Sequence, residues 1–273
     1  MATITAKMVS DLREKTGAGM MDCKRALVAA DGDMEAAIEN LRKSGIAKAE
    51  KKSGRSTNQG KVWTGICTEC KSGAIVEVLC ETDFAAKTER FVQLVNDVTT
   101  AALKAGGDGD VAEKVNTSAK EILTNAIATI GENMQIRRAV RFQGGDNSTF
   151  AGYHHMDGRV SVLVEFEGEV AEELKKDICM HIAAFSPRYV CSSEIPAAVI
   201  DKEKEIALAA DPKLAGKPAQ MLEKILAGKI NRFFSDVCLM NQPWVRDDKT
   251  CLAKVAPGLK VKRFVRWMAG EEI

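Results

Sequence analysis

The sequence has no apolar run near the roughly 18 residues that cross a bilayer. Its start, MATITAKMVSDLREKTG, mixes charge with apolar residues where a secretory leader would have an apolar core. A cytoplasmic protein with no membrane partner is expected. An excess of charge of one sign is also missing: 39 Lys+Arg against 38 Asp+Glu leave +1 over 273 residues, which argues against dedicated nucleic-acid binding by bulk electrostatics. Only three histidines occur, His154, His155 and His181, and GxSxG, HExxH, GxxxxGKS/T and GxGxxG are all absent. No catalytic residue, metal or cofactor is assigned on these grounds. Eight cysteines are too sparse for a disulfide framework and read as reduced thiols. Cys67-Thr68-Glu69-Cys70, with Cys80 on the strand expected to pair with it, offers three thiolates but no fourth ligand at a standard spacing. That pair precedes a turn and a strand rather than opening a helix, which is the wrong context for a thioredoxin-like site. It is read as a reduced pair at a hairpin end.

Hydrophobic residues make up 45% of the chain, enough for a sizeable core in one large domain or several small ones. Residues 1–45 carry three helical patterns. Thr5 N-caps the first, which presents Met8, Val9 and Leu12 before Thr16-Gly17-Ala18-Gly19 breaks it. The second covers Met21 to Ala30, and the third starts at Asp33 and is expected to close at Gly45. A bundle this small leaves apolar surface for a partner. Residues 46–58, IAKAEKKSGRSTN, then have the basic, small-residue composition of a solvated linker.

The remainder contains one unit twice, as subdomains at 59–145 and 146–273. Each opens with a hairpin: Val62 to Cys67 and Ala74 to Cys80 around Lys71-Ser72-Gly73, then Phe150 to His154 and Val160 to Phe166 around Asp157-Gly158. A helix follows in each, about Phe84 to Leu103 and Val170 to Ala184. Each ends in a strand of matching pattern, Ile136-Arg137-Arg138-Ala139-Val140-Arg141-Phe142 against Val261-Lys262-Arg263-Phe264-Val265-Arg266-Trp267. The order hairpin, helix, strand recurring twice points to duplication. The fold class expected is α+β: two antiparallel three-stranded sheets, each with helices on one face. An insertion at about 195–237 holds two helical stretches joined by the turn-prone PKLAGKP, and reads as an antiparallel hairpin that either packs on itself or projects as a docking arm.

Two segments stand out. In Leu12 to Leu27 a Gly-rich turn presents Met20 and Met21, side chains suited to adaptable apolar contact, although one of them is expected to cap the bundle's own core. In Glu77 to Lys87 a strand ends in Thr82-Asp83-Phe84 and a helix begins. Thr82 or Asp83 can cap that helix, and Phe84 either folds under it or points away from the body.

Together these segments resemble the two signatures of the translation elongation factor Ts family, the guanine-nucleotide exchange factors of elongation factor Tu. The stretches ENMQIRRAV at Glu132 to Val140, MHIAAFSPRYV at Met180 to Val190 and NQPWV at Asn241 to Val245 extend the resemblance over nearly the whole chain. It implies an N-terminal module similar to a ubiquitin-associated domain, which docks on the partner GTPase through Leu12, Met20 and Met21. It implies that Thr82, Asp83, Phe84 and Ala85 enter the partner's magnesium and phosphate site, releasing GDP without covalent catalysis. His155, at the second hairpin tip, would contact another domain of the partner. The resemblance further implies binding to GDP-bound and nucleotide-free elongation factor Tu, one-to-one or as a homodimer of such complexes. This chain departs from the usual pattern at Ala85, where Val is common, and at Glu81, where Gln is.

Overall fold

The computed structural model describes residues 3–211 and 218–273. Its N-terminal helices begin at their caps. α1 (Ala6–Thr16) starts at Thr5, whose hydroxyl accepts from the Met8 amide, and stops at Gly17 with φ 66°. α2 (Met20–Ala29) follows Gly19, and α3 (Met34–Lys52) is capped by the Asp33 carboxylate accepting from the Ala36 amide. Leu12, Cys23, Leu27 and Ala37 form the small core between them. Gly45 does not close α3, contrary to the sequence reading. The helix runs on past it because it packs against α7 (Lys120–Ile130), where a Cβ at Gly45 would come within 3.3 Å of the Ala128 Cβ. The glycine permits close approach rather than helix termination. Half of the stretch expected as linker is therefore helical.

In the first sheet β1 (Gln59–Cys67), β2 (Ser72–Cys80) and β4 (Met134–Gln143) are antiparallel, and the two-residue β3 (Gly109–Asp110) adds a fourth strand at the β4 edge that the sequence did not signal. The second sheet has β5 (Ser148–His155), β6 (Val160–Glu167) and β9 (Lys260–Met268), in the order β5-β6-β9. The order β1-β2-β4 in the first sheet is its counterpart. Even the register irregularity recurs, between Glu77 and Val78 and between Glu165 and Phe166.

Alternation assigns the faces. Ala74, Val76, Val78 and Cys80 of β2 pack under α5 (Glu89–Lys104), α6 (Ala112–Ser118) and α7, while Ile75 and Leu79 turn to the other sheet. Val160, Val162, Val164 and Phe166 of β6 pack under α8 (Glu172–Phe185), while Leu163 meets Phe150 and Ile75. The layers thus run helices, sheet, sheet, helices. The helix expected from Phe84 is two, α4 (Asp83–Ala86) and α5, because the Thr88 hydroxyl accepts from the Phe91 amide and starts a new helix. In the insertion α9 (Ala197–Ala209) has no buried residue, and α10 (Ala219–Val237) buries only Ile230 and Val237 near its end. The two pack mainly on each other and project from the body. Their expected turn, PKLAGKP, lies outside the described residues apart from Pro218. The chain then forms β7 (Pro243–Trp244), β8 (Asp247–Cys251) and α11 (Leu252–Val255) before β9.

Between the sheets sit two carboxylates with no solvent exposure, Glu77 and Glu165. Glu77 accepts from Arg138 Nε at 2.5 Å and from the Gly270 amide at 2.8 Å. Glu165 accepts from Arg263 Nε, Lys262 Nζ and Ser148 Oγ, each at 2.7 Å. Burial alone would raise the Glu165 carboxyl, but these hydrogen bonds outweigh it and hold the group below its usual value. The Arg138 guanidinium lies 4.3 Å from the Trp267 ring and that of Arg263 lies 4.1 Å from the Phe142 ring, so each copy's basic residue stacks on the other copy's aromatic. Removing either carboxylate takes a buried acceptor from its arginine, leaving Arg138 only Glu271 and Arg263 only Asp108 as carboxylate partners, and unpairs the other donors aimed at it. Glu77→Ala and Glu165→Ala are each expected to cost about 3 kcal/mol in urea unfolding followed by circular dichroism.

Candidate functional site

The corner between β2 and α4 is strapped from both sides. The Thr82 hydroxyl accepts from the Ala85 amide at 3.2 Å and caps α4. Thr82 in turn donates to the Glu132 carboxylate, from its amide at 3.0 Å and its hydroxyl at 2.6 Å. Glu81 accepts from the Asn133 amide at 2.6 Å, a bond that holds its carboxyl below the usual range, and Asn133 Nδ2 donates to Arg55 O at 2.7 Å. On this base Phe84 is 79% exposed. Of the two readings left open by the sequence, the ring pointing away from the body is the one observed. Asp83 is also exposed, and its hydrogen bond from Lys87 at 2.8 Å holds its carboxyl below the usual value. Ala85 is different: its side chain is buried against the core beneath the corner, so it supports the corner and presents nothing outward.

The corner faces the β5–β6 turn across a shallow cleft bordered by Asp83, Lys87 and Met156. His155 is exposed in that hairpin and lies 3.2 Å from the Tyr153 hydroxyl. His154 turns inward, stacks on Trp63 with ring centroids 3.7 Å apart, and hydrogen-bonds Ser161 Oγ at 3.0 Å. In the N-terminal module Met20 and Met21 are both exposed, so neither caps the bundle's core. Leu12 is fully buried at the centre of that core, where the helical spacing of α1 puts it, and it offers no docking surface itself. Arg90 Nη1 donates to Gly17 O at 2.7 Å, tying the methionine-bearing turn to α5, the helix just after the corner.

A family model described as "Elongation factor TS" matches residues 81–271. The chain belongs to the elongation factor Ts family. Elongation factor Ts of Thioalkalivibrio sulfidiphilus is 45% identical over 278 residues, covering 99% of this chain and 94% of its own length. The proteins of that name from Nautilia profundicola and Methylococcus capsulatus are 45% and 44% identical, with the same coverage.

For this member of the elongation factor Ts family the structure gives the quoted stretches physical roles. ENMQIRRAV supplies Glu132 and Asn133 to the corner and Arg138 to the sheet interface. MHIAAFSPRYV and NQPWV meet at the buried His181, whose Nε2 lies 3.0 Å from Gln242 Oε1 and whose ring stacks against Phe185 and Trp244. Sequence reasoning assigned no role to Glu132, and the only local signal was its place between a helix-ending glycine, Gly131 with φ 89°, and a strand. Cys67 and Cys70 are free, and the Cys70 amide donates to Cys67 Sγ at 3.1 Å. Cys80 cannot join them. The β1–β2 register pairs it with Gln59, at the opposite end of the hairpin, where burial pushes its thiol up to about 12. Among the described residues no group of three His, Cys, Asp or Glu is placed to hold a metal, and no helix is long and apolar enough to cross a membrane.

Two expectations follow from this geometry. Glu132→Ala leaves the part-buried Thr82 amide unpartnered and its hydroxyl proton without an acceptor, and should cost about 1–3 kcal/mol in urea unfolding, with faster amide exchange at Thr82 and Asp83. Burial, with the charge of Lys61 nearby, pushes His154 from 6.5 down to about 4. The unfolded chain protonates near 6.5 and the folded chain resists until about 4, so the stabilisation is complete above 6.5 and lost as pH falls toward 4. Thermal melts between pH 7 and pH 5 should show the loss. His154→Phe should flatten part of that slope, His181 contributing to the rest because burial lowers it as well.

Proposed function

We propose that Phe84 is the wedge with which this guanine-nucleotide exchange factor opens the magnesium and phosphate site of elongation factor Tu. The observation that carries the reading is an exposed ring on a braced backbone: Phe84 stands open on a corner whose Thr82 is hydrogen-bonded twice to Glu132. A GTPase holds GDP through backbone amides, a lysine and a magnesium ion bridging phosphate and protein oxygens. Displacing the elements around the ion weakens that grip without any contact to the nucleotide.

In this reading Phe84 supplies apolar bulk and Asp83 a charged hydrogen-bond acceptor beside it. Met20 and Met21 dock on the GTPase domain, with Leu12 holding their module together from inside, and His155 reaches a second domain of the partner. By linkage, the ratio by which the factor weakens GDP is the ratio by which GDP weakens the factor, so the ternary complex is transient and decays either way. No covalent step is needed. The chain acts in the cytoplasm, on GDP-bound and nucleotide-free partner, and pairing of two complexes would leave the corner's task unchanged.

Stopped-flow release of fluorescent GDP from elongation factor Tu tests this. Phe84→Ala should slow the stimulated release by about tenfold or more, the size of a hot-spot aromatic, while the melting temperature stays within error because the ring is exposed. Unchanged release kinetics would remove the wedge.

A further inference from the structure

Lys61 lies on β1, an edge strand, between the half-buried Gly60 and the buried Val62, and is itself only 3% exposed. Its amine crosses to the other subdomain, donating to Asp157 O at 2.7 Å and to the Asp157 carboxylate at 2.5 Å. Asp157 belongs to the β5–β6 turn, where two successive non-glycine residues, Met156 and Asp157, have φ of 49° and 55°. L-residues enter this region reluctantly, and persist there only where the surroundings hold them. Here the surroundings come from the first subdomain. Besides the Lys61 bonds, the Val62 amide donates to Gly158 O at 2.7 Å, and a Cβ at Gly158 would meet the Trp63 ring at 3.0 Å. Held in this way, the turn leaves Met156 69% exposed, across the cleft from Asp83, the residue before Phe84.

We infer that Lys61 is a positioning residue of the exchange reaction: it fixes the β5–β6 turn so that Met156 stands beside the Phe84 corner as a second apolar prong at a set distance. The inference rests on the wedge reading of Phe84. A prong on a loose turn must be ordered when the partner binds, and that entropy is subtracted from affinity; the Lys61 contact removes the cost in advance. The prong adds affinity, and the wedge acts on the nucleotide.

The two roles separate in the dependence of GDP release on factor concentration, measured with the full chain and elongation factor Tu. Lys61→Met is expected to raise the half-saturating concentration about five- to tenfold, more than it changes the plateau rate, whereas Phe84→Ala lowers the plateau. Met156→Ala, an exposed position with no folding risk, should raise half-saturation to a similar extent. In the Met156→Ala background Lys61→Met should then add nothing, because it acts through Met156. Adding Asp157→Gly to Lys61→Met should restore part of the affinity, since glycine takes the left-handed conformation unaided. Should Lys61→Met fail to fold, Asp157→Ala removes the carboxylate bond while leaving the one to Asp157 O, and in the same cycle should raise half-saturation by a smaller factor that again vanishes in the Met156→Ala background. Additive effects of Lys61→Met and Met156→Ala, or an unmoved half-saturation in either, would overturn the inference while leaving the wedge standing. No acceleration by the unaltered chain would remove both.

Discussion

A carboxylate closed inside a sheet–sheet interface has to be met by cations, and Glu77 and Glu165 fix what can lie opposite them. Desolvating such a group is tolerable only with several good hydrogen bonds, and each glutamate has them from a basic residue of its own subdomain's terminal strand. The arginines in turn lie over aromatics of the opposite copy, Arg138 on Trp267 and Arg263 on Phe142. A slip of one residue in either pairing would turn the glutamate toward the helices and its arginine away from it. The polar interlock therefore specifies register within each sheet and the seating of one sheet on the other, where apolar contacts alone would accept neighbouring arrangements.

The corner that carries Phe84 inherits its position from that register. β2 holds Glu77 in its middle and runs out into Thr82, while β4 holds Arg138 in its middle and begins just after Glu132 and Asn133. Once Glu77 lies opposite Arg138, the start of β4 comes level with the end of β2, and Thr82 meets Glu132 with no further adjustment. The β5–β6 turn is placed by the same seating, because Lys61 on β1 reaches Asp157 only when the sheets lie face to face. Two loops distant in sequence thus reach one surface as parts of a single frame.

Much of this was legible in the chain, and the misreadings have physical causes. Thr5 and Asp33 were readable as caps because capping is settled within four residues. The duplication was readable because the basic pair and the terminal aromatic recur at matching places in Arg137 to Phe142 and Lys262 to Trp267. Gly45 was misread because a helix-ending glycine and a helix-crossing glycine look alike locally, and the deciding neighbour, Ala128, is far along the sequence. Leu12 and Ala85, credited with outward roles by resemblance, are buried at their helical positions, so spacing was the better guide to exposure. Lys61 passed unnoticed because its acceptor lies in the other subdomain.

If Phe84 is the wedge proposed above, bracing at the corner also sets how much it can do. Burying an aromatic ring that is open to water in the free protein is worth about 2–3 kcal/mol, which by linkage weakens a bound nucleotide by roughly 30- to 150-fold when all of it is spent on displacement. Any part used to order a floppy loop is lost from that factor, and ordering even one rotamer-rich side chain takes about 0.5–1.5 kcal/mol. The two hydrogen bonds from Thr82 to Glu132 and the cap on α4 settle those degrees of freedom during folding, when the core of the first subdomain forms beneath Ala85. On the wedge proposal, the same buried alanine that presents nothing outward is thus what lets the residue before it deliver its full contact energy.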